Sequence, residues 1–137
     1  MDANFIKFHC FVEDVCEDKH NLASDTIRFA LSNAANPPSV SADVKLADIT
    51  TISVANLDTT EIVVTSSGQT DGVYALVAED LTVTATGDVG PFRYILVYND
   101  TEANDALIGY FDYESETSMK VNDTLLLDFG TELFNLS

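Results

Sequence analysis

The chain is 137 residues long, 46% hydrophobic, and carries 23 Asp and Glu against six Lys and Arg, a formal net charge of −17. That length makes one domain able to bury its own core, and the hydrophobic fraction excludes compositional disorder. Such charge repels a polyanion, and the six cations (Lys7, Lys19, Arg28, Lys45, Arg93 and Lys120) are scattered, so nucleic acid and an anionic membrane surface are excluded as partners.

At the start of the chain, Asp2, Asn4, Lys7 and His9 interrupt the apolar residues, so no signal-peptide core is visible. No run reaches the roughly 20 apolar residues of a membrane helix. Synthesis and retention in a cytosol are expected, unless the chain leaves with a larger particle. The spacing predicts a helix over Asn4–His20: Phe5, Phe8, Val12, Val15 and Cys16 recur every three or four residues, and Glu13, Asp14, Glu17 and Asp18 fall mostly on another face. Asp2 or Asn4 is the expected N-cap and Asn21 the terminator. Acids near the C-terminal end oppose the macrodipole, so this helix must pack on something.

Beyond it the period changes to two. In Asp25–Asn33, Ile27, Phe29 and Leu31 share one face. Asn36-Pro37-Pro38-Ser39 breaks the chain, and Val44–Val54 holds enough β-branched residues for a strand or two. Strands are expected at Glu61–Ser66, Val73–Ala78 and Leu81–Thr86, with turns at Ser67–Gly72 and Thr86–Pro91. Phe92–Tyr98 is an almost unbroken apolar run, as in a strand covered on both faces. Ala106–Tyr113 reads as its hairpin partner across Asn99–Asp105, and Val121–Phe129 and Thr131–Leu136 end the chain. The fold class expected is mainly β: a single antiparallel β-sandwich over residues 23–137, jelly-roll-like with an immunoglobulin-like alternative. Residues 1–22 form a short N-terminal amphipathic helix packed on the domain or extending from it.

Candidate chemistry is sparse. His9, Cys16 and His20 align on one helical face, yet C-x2-C pairing is absent and the same face carries Phe5 and Val12, so they read as packing rather than zinc ligands. Cys10 and Cys16 would lie about 9 Å apart along a helix, too far for a disulfide, and read as free thiols of a reducing compartment. Neighbouring acids would raise a thiol pKa and disfavour a cysteine nucleophile. Asp100, Glu102 and Asn104 alternate like the opening of a calcium loop, but Asp105 replaces the required glycine and Phe111 the bidentate glutamate. No G-x-S-x-G elbow, P-loop or dinucleotide fingerprint appears. Neither a catalytic residue nor a cofactor is expected. Tyr94, Tyr98, Tyr110 and Tyr113 would make a glycan platform only if exposed, and strand tyrosines are more often core.

Three segments carry a family resemblance: His20–Ile27 running into Phe29–Asn33, then Val89-Gly90-Pro91-Phe92-Arg93-Tyr94 with Leu96–Asp100, then Leu107–Tyr113. Together they resemble a group of small structural proteins of tailed phages, and the Gly-Pro-Phe-Arg-Tyr segment is the most specific. The likeness implies a capsid decoration or cement protein on the virion surface, made in the host cytoplasm. Its partners would be other virion proteins, the major capsid protein foremost, with a homo-oligomer, a trimer at three-fold positions, as the expected state. A minor tail or adhesion module binding host glycan is the alternative. No functional residue carries over. The group's glycine after the Asp-Tyr pair is Glu114 here, so a different turn is expected there. From the residues themselves, Phe5, Phe8 and Val12 are the candidate protein-contact patch, or else core.

Overall fold

The computed structural model describes residues 4–137. In chain order it contains β1 (Phe5–Lys7), α1 (His9–Cys16), β2 (Ile27–Ser32), β3 (Glu61–Ile62), β4 (Val64–Thr70), β5 (Val73–Ala78), β6 (Leu81–Thr84), β7 (Val89–Asn99), β8 (Leu107–Met119), β9 (Thr124–Leu127) and β10 (Phe134–Leu136). A turn of 3-10 helix lies at Leu46–Asp48. The fold is mainly β, 47% strand, with one short N-terminal helix and three open antiparallel sheets. The largest has the order β1-β8-β7-β2-β3, the second β10-β5-β4, and the third pairs β6 with β9.

The alternation of β7 explains its apolar run. Phe92, Ile95 and Val97 enter the main core, with Leu76 and Ala78 of β5, Val83 of β6, Leu127 of β9 and Phe134 of β10. Tyr94 and Leu96 point the other way, into a smaller core with Phe8, Ala30, Ile49 and Leu107. Both faces of the strand are therefore covered, as its hydrophobicity demands. The first core joins all three sheets. The second lies under the segment around the 3-10 turn, where Leu46 N–H bonds Asp105 and Leu107 N–H bonds Val44.

The N-terminal segment differs from the expectation of one helix over Asn4–His20. Phe5, Ile6 and Lys7 pair with Phe111, Tyr110 and Gly109 and form an edge strand. The helix begins only at His9, after Phe8 N–H bonds Ile108 and His9 N–H bonds Val40. It ends with Asp18 in the left-handed region at φ 63 and Lys19 N–H bonded to the Asp14 carbonyl, 2.9 Å, a Schellman-type closure. Termination thus comes at Asp18, not Asn21. A three-residue strand beats a helical turn because it satisfies the open edge of β8, while the same residues as helix would leave that edge bare. Within residues 4–22 the chain therefore contains both a strand of the largest sheet and the short helix.

Two glycine questions are settled by the backbone. At Gly109 an added Cβ would collide with the Phe5 ring, so only glycine lets that ring lie across β8. Phe5 stacks there on Phe134 at 5.1 Å and meets Phe111 edge-on at 5.5 Å. Glu114, where the resemblance places a glycine, has φ 70, the left-handed conformation glycine adopts freely. The backbone course is thus one that suits glycine, held here by Glu114 N–H donating to Asp112 Oδ1 at 2.8 Å.

These two positions predict opposite effects. Gly109→Ala must displace Phe5 and should destabilise by about 1–3 kcal/mol in chemical denaturation; an unchanged midpoint would show that the ring has room. Glu114→Gly relieves a left-handed residue and should stabilise by about 0.5–1 kcal/mol. A loss of stability on that change would mean the glutamate side chain holds the turn.

Candidate functional site

The contact patch expected at Phe5, Phe8 and Val12 does not form a single face. Phe5 is half-buried in β1, Phe8 is fully buried, and Val12 is 45% exposed on the outer side of α1. The helix instead buries Phe11 and Asp14, with Val15 partly covered. Phe11 takes the inward position because its ring meets Phe134 edge-on at 5.4 Å and His20 at 5.2 Å. Periodicity alone fits Phe8, Phe11 and Val15 as well as Phe8, Val12 and Val15, and the aromatic partners decide between them. Of the three, only Val12 is open to a partner.

Asp14, expected on the solvated face, is 3% exposed. Its Oδ1 lies 3.3 Å from Lys19 Nζ, and its Oδ2 has no protein partner. Asp14, Lys19, Lys45, Asp48 and Glu102 line a polar recess of about 410 Å³. Most of these groups are engaged locally: Asp48 Oδ2 accepts the Val44 and Lys45 amides at 3.0 and 3.1 Å, and Glu102 accepts Asn104 N–H at 2.9 Å. The Asp48 carboxyl is held below the usual range by those amides. A second recess of about 410 Å³ lies beside α1, with Phe11, His20, Ser67, Tyr74 and Leu136 in its walls.

Asn99 organises a buried polar cluster at the end of β7. Fully buried at the end of β7, it donates through Nδ2 to His20 Nδ1 at 3.0 Å and to Asp25 Oδ2 at 2.7 Å. Its Oδ1 accepts the amides of Thr101 and Glu102, at 2.9 and 3.2 Å. All four of its hydrogen-bonding positions are used, which is what keeps a buried amide from costing stability. Residues far apart in the chain meet here: His20 and Asp25 from the segment before β2, Asn99 from the end of β7. Along the β7–β8 pair, Arg93 grips Asp112 through two bonds of 2.9 and 3.1 Å. Arg93 holds the Asp112 carboxyl below its usual range. These residues therefore build the frame of the domain.

The remaining candidates are placed apart. Among the described residues, no group of three or more His, Cys, Asp and Glu side chains is set to share a metal ion, which covers His9, Cys16 and His20 and also the Asp100–Asp105 loop. Asp100 is instead paired with Arg28 at 2.9 Å. Cys10 is partly buried, and burial, with Asp14 nearby, pushes its thiol up to about 11, far from a nucleophile's range. The Ser67 hydroxyl shares a 2.7 Å hydrogen bond with the Tyr74 hydroxyl. Tyr94 is buried and meets Tyr110 edge-on at 6.0 Å, while Tyr113 packs against Phe92. The four tyrosines do not share one open platform.

His20 makes the polar interior testable. Burial pushes its imidazole below the ordinary value of 6.5, against the pull of Asp14, Asp25 and Glu102. The unfolded chain then takes up a proton that the folded one resists, so stability falls as pH drops below about 6.5 toward the lowered value. The unfolding free energy of the wild type, relative to His20→Asn, should decline between about pH 7 and pH 5.5. A difference that stays flat over that window would mean the imidazole titrates equally in both states.

The chain matches no protein-family model, no curated protein and no solved structure.

Proposed function

We propose that this chain is a structural protein that works by adhesion within a larger assembly, and specifically a decoration or cement protein on the head shell of a tailed phage. The observation that carries the adhesive reading is the distribution of charge over the fold. No strand of the β10-β5-β4 sheet and neither strand of the β6–β9 pair contains an Asp, Glu, Lys or Arg. An acidic body with uncharged faces repels nucleic acid and other copies of its acidic surface, yet leaves surfaces that a protein can cover without burying a carboxylate. Leu126 of β9, 50% exposed, stands on one such region.

The virion assignment rests on the sequence resemblance. Its motif residues lie in the two longest strands and the Asn99 network, as befits a rigid small body. In the finer fold this reading favours, the five-stranded sheet is one layer of a jelly-roll-like sandwich and the two smaller sheets form the other. The major capsid protein is the partner that it implies, with no enzymatic step.

Quantitative mass spectrometry of purified particles tests the assignment. On the order of hundreds of copies per particle, as symmetric shell positions require, is the expected result. A handful of copies would move the protein to the tail, and absence from particles would end the virion reading. Because the contact is expected to be apolar, washing particles in high salt should release little of the protein; steep release would contradict it.

A further inference from the structure

Asn99 dictates where a distant histidine carries its proton. Its Oδ1 accepts the amides of Thr101 and Glu102, and its Nδ2 faces the Asp25 carboxylate at 2.7 Å. Both ends forbid turning the side-chain amide over. Reversal would set an NH2 group against two N–H donors and an oxygen against a carboxylate. The other Nδ2 hydrogen therefore goes to His20 Nδ1, 3.0 Å away. That nitrogen is an acceptor, and the neutral ring carries its hydrogen on Nε2, which is buried without a protein partner.

Protonation removes this acceptor. An imidazolium donates from both nitrogens, so its Nδ1–H would meet the Asn99 NH2 group donor against donor. Asn99 cannot adapt, because all its other bonds hold it in place. The ring is surrounded as follows: Asp14 and Lys19 face it from α1 and the turn that closes the helix, Asp25 from the segment before β2, and Glu102 from the hairpin tip. Phe11 packs on the ring, and Asp18 and the Tyr74 hydroxyl stand in the same recess. Burial and Asn99 hold the ring neutral. Once it is freed, the three carboxylates favour the cation over the opposition of Lys19.

The chain that carries the ring is built to come loose. His20–Asp25 is irregular and lies between two anchors, the Lys19 N–H bond to the Asp14 carbonyl and the Thr26 N–H bond to Thr101 Oγ1 at 2.8 Å. Asn21, Ala23 and Ser24 are exposed. Its own bonds close one short turn: Asn21 N–H donates to Asp25 Oδ2, and the Ser24 and Asp25 amides donate to the Asn21 carbonyl. Such a turn is marginal without an outside hold, and Asn99 supplies that hold at both His20 and Asp25.

We propose that His20–Asp25 is an acid-released latch: Asn99 holds it shut while His20 is neutral, and proton uptake at Nδ1 detaches it while β7 and β8 stay paired. Release opens the recess between α1 and Tyr74, of which His20 to Ala23 form one wall. The loss of stability on acidification is thereby localised to one segment. The latch is independent of the virion reading, since it is decided on purified protein.

NMR on the full chain, from about pH 8 down to about pH 5, is the test. At the upper end the ring-nitrogen shifts of His20 should show hydrogen on Nε2. Below the ordinary value of 6.5, amide exchange at Asn21, Ser24 and Asp25 should quicken beyond its intrinsic pH dependence, by up to about tenfold per pH unit, because one proton is linked to opening. The amides of the paired strands β7 and β8 should keep their protection. His20→Asn offers Asn99 an amide oxygen that does not titrate in this range, so its segment should stay protected throughout. Hydrogen on Nδ1 at the upper end overturns the proposal. So does a ring that titrates while the segment stays protected, a segment that loosens only together with β7 and β8, or the same acid release in His20→Asn.

Discussion

The antiparallel pairing of β7 with β8 is the contact on which the rest of the molecule depends. These strands are the longest in the fold and sit in the middle of the largest sheet. One covered face builds the core shared with the smaller sheets, and the other builds the core beneath the segment around Leu46–Asp48. The Arg93–Asp112 pair holds the two strands across the ladder. Being about one-third exposed on each side, it fixes register more than it adds stability, which for such a pair is at most about 1 kcal/mol. At the far end of β7, Asn99 ties the chain from His20 to Asp25 to the hairpin tip. At Gly109, β8 opens just enough to admit Phe5. Each neighbouring element is attached to this pair by a specific residue of it.

That arrangement explains what was legible in the sequence. Phe92–Tyr98 announced itself because a strand covered twice must be apolar on both sides, and Asn99–Asp105 because a polar run between two such segments has to turn. Ile27, Phe29 and Leu31 kept a clean period of two and lie on the main-core face of β2. The sequence misled where strands lie at an edge or run into solvent. Glu114–Ser118 of β8 and Ser67–Thr70 of β4 are polar, so no alternation marks them, and Ser67–Gly72 reads as one long turn. The actual turn is only Asp71-Gly72, both at positive φ (53 and 84), a two-residue hairpin connection that leaves the preceding residues free to pair.

The N-terminal segment shows a different kind of failure. Phe5, Phe8, Val12 and Val15 fit a helical stripe, and nothing local argues against it. What overrides the pattern is the unpaired edge of β8 and the aromatic pocket made by Phe111 and Phe134, neither of which is visible from residues 4–20. The same long-range contacts rotate the remaining helix so that Phe11 and Asp14 turn inward. The Asn99 hub was hidden for a related reason: a buried asparagine between two apolar strands looks like the first residue of a loop. Its partners His20 and Asp25 lie more than seventy positions away in the chain.

Charge links these structural facts to assembly. Four of the six cations are engaged with nearby carboxylates: Lys19 with Asp14, Arg28 with Asp100, Arg93 with Asp112 and Lys120 with Asp88. Few cations are left to attract anything, and the surplus of acids is left to repel. In such a molecule the electrostatic term works against contact with other acidic surfaces over most of the body. The strands of the smaller sheets are free of that charge. Their neutrality is not required by burial, since Ser66, Gly68 and Thr70 are exposed and would accept acids as readily as Glu114–Glu116 of β8 do. Exposed, neutral strands in a chain this acidic are therefore what the proposed adhesion would use, because a partner could cover them without burying a carboxylate.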